Sequence, residues 1–341
     1  HRRLTVTRPL LAITLGDPAG IGPLVGARAA LDPALRRRSR PLLVGDAWIL
    51  HRLLHRRGIA VKPLPSIDDY LDRPGVANVL HVPHPEIRTL RRGAAQRVGG
   101  ESAALSIRAA VALALAGRVA AVVTGPASKE SFRLAGLPHP GHTEMLAALC
   151  GIDHVEMVMA AGRRRTVLIT RHLPLKDVSA ALTTKKIIEA VLRVDAWGRT
   201  HLGLRKRPRW ILCGLNPHAG DGGLLGREEI RTVAPAAAAL RKKGLPLLGP
   251  WPADVAWARH AAGESDFVAS LYHDQGMIPL KTLDGRRLVN VTVGLPFVRT
   301  SPGHGTAFDL AAGPRAEAMA DAEPTLEAAR VALDLALRNP R

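Results

Sequence analysis

The chain predicts an α/β fold built on parallel strands, with more than one domain. Three observations predict it. From residue 10 to residue 123, short apolar runs alternate with helical stretches, the order that lays parallel strands side by side with helices on their faces. Glycine-rich turns follow several of those runs, at the strand ends where such sheets carry their ligands. The length, 341 residues with 47% apolar, is more than one small core requires and points to two domains or one large unit with insertions.

Residues 10–15, LLAITL, read as a buried first strand ending in GDPAGIGP, which opens a helix running to about Arg38. That turn suits either a phosphate or a tight strand-to-helix connection; its spacing is neither G-x-G-x-x-G nor a Walker loop. Strand 41–45 leads into a helix ending near Arg57. Residues 58–85, rich in Pro and Asp, read as irregular surface with one strand at 79–82. Helix 102–116 precedes strand 119–123 and the turn TGPASK, so Asp17, Thr124 and Lys129 all fall just past strand ends. GHTE at 141–144 introduces another helix, and Arg163 to Arg165 read as a hairpin tip. Strands at 166–170, 210–213 and 267–272 follow, with helices from Thr184 and from Glu228 and Glu229, and a loop at 249–254 leading into a short helix. HDQG at 273–276 reads as a polar cluster, with a turn at Asp284-Gly285. Residues 288–293, LVNVTV, alternate β-branched and polar side chains as a strand does. Arg299, Ser301, His304 and Thr306 follow in a loop punctuated by Pro and Gly, and 324–337 form a closing amphipathic helix.

Composition narrows the function classes. No apolar run approaches bilayer length, and the basic start reads as an exposed end before the first strand, not a signal peptide. Cys150 and Cys213 make no disulfide framework and suit a reducing, cytoplasmic compartment. The net charge of +19 rests on dispersed arginines, and aromatics are only 3%. With no DNA- or RNA-binding signature, that excess reads as solvated surface, and neither membrane nor nucleic acid is an expected partner.

Three histidines share one placement: His172, His218 and His273 each follow an apolar strand by one to five residues. If those strands are neighbours, the imidazoles could converge as ligands of one divalent metal with an open position. Lys281, Arg299 and Arg171 are candidate anion contacts. His142 with Thr143 suits a phosphate or hydroxyl, or a helix cap.

GDPAGIGP, VTGPASK, GHTE, RHLPLKDV, GLNPHAGDGG, GPWPAD, YHDQG and NVTVGLPFVRTSPGHGTAFDLAAG occur in one order over most of the chain. Together they resemble the 4-hydroxythreonine-4-phosphate dehydrogenase family of vitamin B6 biosynthesis. The resemblance implies two α/β domains around a central cleft, isocitrate/isopropylmalate dehydrogenase-like and not a Rossmann fold. It sets residues 1–130 with 278–341 as a discontinuous cofactor-side domain and 131–277 as the metal, substrate and dimerisation domain. It implies a homodimer with the active site at the subunit interface, and a small phosphorylated hydroxy acid as substrate. By the resemblance, NAD or NADP oxidises the 3-hydroxyl of 4-phosphooxy-L-threonine, and loss of CO2 gives 3-amino-2-oxopropyl phosphate. His172, His218 and His273 match the family's ligands for one divalent metal (zinc, magnesium or cobalt). His142, Thr143, Lys281, Asn290 and Arg299 match its substrate contacts, and His304, Gly305 and Thr306 fall in the cofactor segment. Leu24, Val255 and Gly303 depart from the family pattern. Relatives acting on 4-phospho-D-threonate or -erythronate, or on aromatic dihydrodiol carboxylates, share the metal histidines and are the alternative.

Overall fold

The computed structural model describes residues 8–55, 58–204 and 206–338. The arginine pair 56–57, Arg205 and the seven residues read above as an exposed end lie outside them. Among the described residues run twelve strands: β1 (Leu10–Thr14), β2 (Arg40–Gly45), β3 (Ala60–Leu64), β4 (Val76–His81), β5 (Ala121–Thr124), β6 (Glu156–Ala161), β7 (Arg164–Leu168), β8 (Trp210–Cys213), β9 (Leu247–Trp251), β10 (Phe267–Ser270), β11 (Leu288–Val293) and β12 (Val298–Pro302). They belong to two compact units, residues up to 154 together with 295 onward, and residues 155–294. The resemblance places its boundaries at other points, after 130 and before 278. Here residues 278–294 go with the second unit because β11 pairs along its whole length with β6. Residues 131–154 stay with the first because Phe132, Met145 and Leu146 pack into its core.

In the first unit the strand order is β3-β4-β2-β1-β5-β12, all parallel. β1 is central, with Ala12 opposite Leu42 on one side and Val122 on the other. All five of its residues are buried, which is why it reads as an unbroken apolar run. The segment expected to hold one strand holds two. β3 escapes the pattern because it lies at the edge, partly exposed, where Pro63 is tolerated. The helix expected to run to Arg38 breaks at Asp32-Pro33, where the Asp32 carboxylate caps the second piece by accepting the Leu35 N–H at 2.8 Å. The helix Arg97–Leu115 is long and apolar enough, by length and composition alone, to cross a membrane, contrary to expectation. Its apolar face, with Ala103, Ile107, Ala110 and Val111, instead packs in the core against β1 and β2. The helix Glu323–Arg338 covers β12 and β5, pinned where Thr300 Oγ1 donates to the Ala328 carbonyl.

In the second unit the order is β11-β6-β7-β10-β8-β9. β11, β6 and β7 pair antiparallel and the remaining neighbours parallel, so this sheet is mixed, and the hairpin turn read at Arg163 to Arg165 joins β6 to β7. β9 replaces the expected loop at 249–254; it too is an edge strand, and its edge position accommodates Pro250. The residues from His273 onward form a helix, His273–Asp284, where a polar cluster and a turn were expected. Gly276 and Pro279 disguise it; buried Met277 and Leu280 hold it against the sheet despite the donor that Pro279 removes. Arg299 lies in β12 and not in a loop.

Candidate active site

In the second unit β7, β10 and β8 are adjacent and parallel, so the segments carrying His172, His273 and His218 leave neighbouring strands at the same edge. The His172 and His273 rings meet, with centroids 5.6 Å apart and planes tilted by 43°. His273 Nδ1 is 2.6 Å from Asp274 Oδ1. A carboxylate holding Nδ1–H is the usual way to present Nε2 to a metal. His218 is exposed and follows β8 on a loop of left-handed backbone, with φ 53°. The structure does not bring all three together: among the described residues, no group of three or more His, Cys, Asp or Glu side chains is placed to hold a metal. One chain therefore supplies a histidine pair suited to a metal, not a closed site. Lys281 is exposed in the last turn of the helix that His273 begins. Asn290 is half-buried in β11, and its Oδ1 is buried without a partner. Arg171, a candidate anion contact, is engaged instead by the buried carboxylate of Glu156 at 3.2 Å, which Arg193 also meets.

The first unit holds the other expected substrate residues. Arg299 is buried, and its Nε and Nη2 donate to Thr124 Oγ1 at 3.2 and 2.6 Å. Burial pushes its pKa down to about 10, opposed by the charge of Glu144, so the guanidinium stays protonated at neutral pH. His142 begins the helix His142–Leu149, its ring tilted against Phe132 at 5.8 Å. Its Nε2 is buried and has no partner. Burial, reinforced by the charge of Arg299, pushes the imidazole down to about 3. The ring is neutral, and its unmatched nitrogen is a hydrogen-bonding position offered to a ligand. Thr143 beside it is buried. Thus a buried cation, a neutral imidazole and a helix N-terminus lie in one unit, the combination that suits an oxyanion.

His304 has Nδ1 2.9 Å from the Gly305 carbonyl, and its Nε2 is buried without a partner. Gly305 is exposed, and the Thr306 carbonyl accepts the Ile21 N–H at 3.0 Å, which ties this segment to the turn after β1. In that turn burial raises the Asp17 pKa, opposed by the Ser131 hydroxyl and the Ala19 N–H. Of the departures, Leu24 is wholly buried in the core, Val255 is exposed and Gly303 half-buried.

Three residues were not singled out for this site by the sequence. Thr124, noted only as a strand end, fixes the Arg299 guanidinium. Glu229 accepts hydrogen bonds from the start of the His218 loop, and Gln275 joins that loop to the turn before His273. No signal separates Glu229 from its half-buried neighbour Glu228; only the fold buries one of them fully.

Residues 37–332 match the family described as pyridoxal phosphate biosynthetic protein PdxA. The chain belongs to this family. It is 41% identical over 304 residues, 88% of each chain, to a protein named 4-hydroxythreonine-4-phosphate dehydrogenase from Beijerinckia indica. It is 37% identical over 309 residues, 89% of this chain and 93% of the relative, to one named D-threonate 4-phosphate dehydrogenase from Pectobacterium atrosepticum. The crystal structure of the 4-hydroxythreonine-4-phosphate dehydrogenase of Klebsiella pneumoniae superposes with a TM-score of 0.87 at 38% identity, covering 97% of this chain and 99% of that one. These relatives carry dehydrogenase names throughout, which supports an oxidoreductase role for the family member described here.

Proposed function

We propose that the protein is a metal-dependent NAD(P) oxidoreductase that oxidises 4-phosphooxy-L-threonine at its 3-hydroxyl and releases CO2, giving 3-amino-2-oxopropyl phosphate. The observation that carries this reading is the departure of His172, His273 and His218 from three adjacent parallel strands. When bound, a divalent ion (zinc, magnesium or cobalt) supplies Lewis-acid polarisation of a hydroxyl and charge withdrawal as CO2 leaves.

The chain's own residues do the rest. Arg299, its guanidinium oriented by Thr124, and Lys281 would bind the anionic ends of the substrate, one as a fork and one as a point charge. His142, neutral at any physiological pH, would hydrogen-bond through Nε2, with Thr143 adjacent; Asn290 would use Oδ1. His304, Gly305 and Thr306 would contact the NAD or NADP that takes the hydride from C3, a matter of positioning. Oxidation turns the 3-hydroxyl into a ketone and releases one proton; the resulting β-keto acid then loses CO2. We further propose a homodimer in the cytoplasm. Apolar side chains exposed after the histidine-bearing strand ends (Leu173, Leu175, Leu224, Leu225 and Ile278) support a second copy covering that edge.

A second reading has an observation in its favour: relatives named for D-threonate 4-phosphate match at 37–38% identity, close to those named for 4-hydroxythreonine 4-phosphate. Purified protein given NAD+ or NADP+ and Mg2+, Zn2+ or Co2+ separates them. NAD(P)H formed with equimolar CO2 from 4-phosphooxy-L-threonine is the expected result. Preference for 4-phospho-D-threonate transfers the chain to the second reading, and reduction with neither substrate overturns both.

A further inference from the structure

Resting on the metal reading above, we propose that Glu229 and Gln275 are positioning residues that fix where His218 stands. The His218 side chain is exposed, so packing does not hold it; its place is set by its backbone. That backbone is unusual. Residues 218–222 all lie in the left-handed region, with φ of 53, 53, 82, 44 and 65°, and three of them (His218, Ala219 and Asp221) are not glycine. L-residues resist this conformation, and a run of it persists only where the surroundings over-determine it.

The surroundings that do so are two buried side chains. Glu229 is 5% exposed. Its Oε1 accepts the backbone N–H groups of Leu215 and Asn216, both at 2.8 Å, and its Oε2 accepts from Asn216 Nδ2 at 2.9 Å. The loop then folds over the carboxylate so closely that a Cβ added at Gly220 would lie 2.7 Å from Oε2. Gln275, also buried, spans two segments. Its Oε1 accepts the Leu271 N–H at 2.7 Å, and its Nε2 donates to the Gly214 carbonyl at 2.7 Å. Leu271 lies two residues before His273, and Gly214 four before His218. The Leu271 carbonyl in turn accepts from Thr170 Oγ1 at 2.7 Å, two residues before His172. One line of buried hydrogen bonds therefore links the three strand ends, and Glu229 fixes the loop leaving the last of them. Without the carboxylate, two backbone donors at the root of the loop lose their acceptor and the left-handed turn loses what it closes on.

The test uses the full chain in wild-type form and as Glu229→Ala, Glu229→Gln and Gln275→Leu. The readouts are Co2+ affinity by its visible absorption, amide hydrogen exchange over residues 215–222, and thermal unfolding. Each variant should keep a cooperative transition, exchange faster over 215–222, and bind Co2+ about 10- to 100-fold more weakly. Glu229→Gln should fall between wild type and Glu229→Ala: it retains an acceptor for the two N–H groups but turns an amide toward Asn216. It also supplies the readout should the alanine variant fail to fold. Unchanged exchange over 215–222 in the folded variants overturns the proposal, as does a loosened loop with Co2+ affinity unaltered. A wild-type chain that binds no Co2+ sinks the metal reading of the preceding section. Exchange in the same samples still decides whether the two side chains hold the loop.

Discussion

At the scale of single residues, burial decides which polar groups work as neutral partners. His260 is 3% exposed, its Nε2 accepting the Arg165 N–H at 3.1 Å and its Nδ1 2.7 Å from Ser265 Oγ. That geometry requires the neutral ring with its proton on Nδ1, since a proton on Nε2 would face the Arg165 donor. Burial, with the nearby charges of Arg165 and Arg164, pushes its pKa from 6.5 down to about 4. The folded pKa lies below the unfolded one, so the contribution is fully present above pH 6.5 and is lost as pH falls toward 4. Its size is roughly 3 kcal/mol. Urea unfolding of wild type and His260→Gln at pH 7.5, 5.5 and 4.5 should show the variant losing less stability across that window. Equal losses would show that His260 does not set the acid limit. The same effect at His142 serves a ligand, because there the unmatched nitrogen has no protein partner. The sequence singles out His142 and not His260, and local sequence gives no sign of which ring finds protein partners on both nitrogens.

At the scale of elements, what the sequence disclosed depended on where an element sits. β1, β8 and β11 were readable because central or well-paired strands are apolar or alternate cleanly. β3, β9 and β12 were hidden by prolines that edges and strand ends permit, and the helix from His273 by Gly276 and Pro279, whose local cost the packed core overrides. The histidines were found because each follows a strand that was itself readable. Glu229 and Gln275 were not, since their partners are backbone groups distant in sequence. The turn after β1 is where element and site coincide. Gly16 has φ 71°, and a Cβ there would lie 2.2 Å from the Pro126 carbonyl oxygen. The neighbouring Asp17 N–H bonds that same oxygen at 2.8 Å, so the two strand-end turns cannot part without breaking it. Gly16→Ala should destabilise the chain by about 3 kcal/mol in urea unfolding, combining a disfavoured backbone with a clash against backbone. A loss below about 1 kcal/mol would mean that the turn relaxes freely.

At the scale of the whole molecule, two surface properties needed the structure to interpret. The charge of +19 is partly structural. Arg199 and Arg207 both meet the buried carboxylate of Asp195, and Arg36 caps the Val76 and Arg73 carbonyls. These arginines tie segments distant in sequence together. The exposed apolar side chains point elsewhere. Leu224 is 83% exposed, Leu175 72% and Ile278 62%, far above what their types favour in water, and each lies within seven residues of an expected metal histidine. If the proposed homodimer buries them, a carboxylate at Leu224 would enter the interface without a partner, at a cost of about 3 kcal/mol. Sedimentation should then show wild type dimeric at micromolar concentration, and Leu224→Glu with a dissociation constant at least about a hundredfold higher. The variant should also lose NAD(P) reduction in proportion to its dimer. A Leu224→Glu chain that stays dimeric and active would place the interface on another face, and a wild type that is monomeric yet active would remove the second copy from the site altogether.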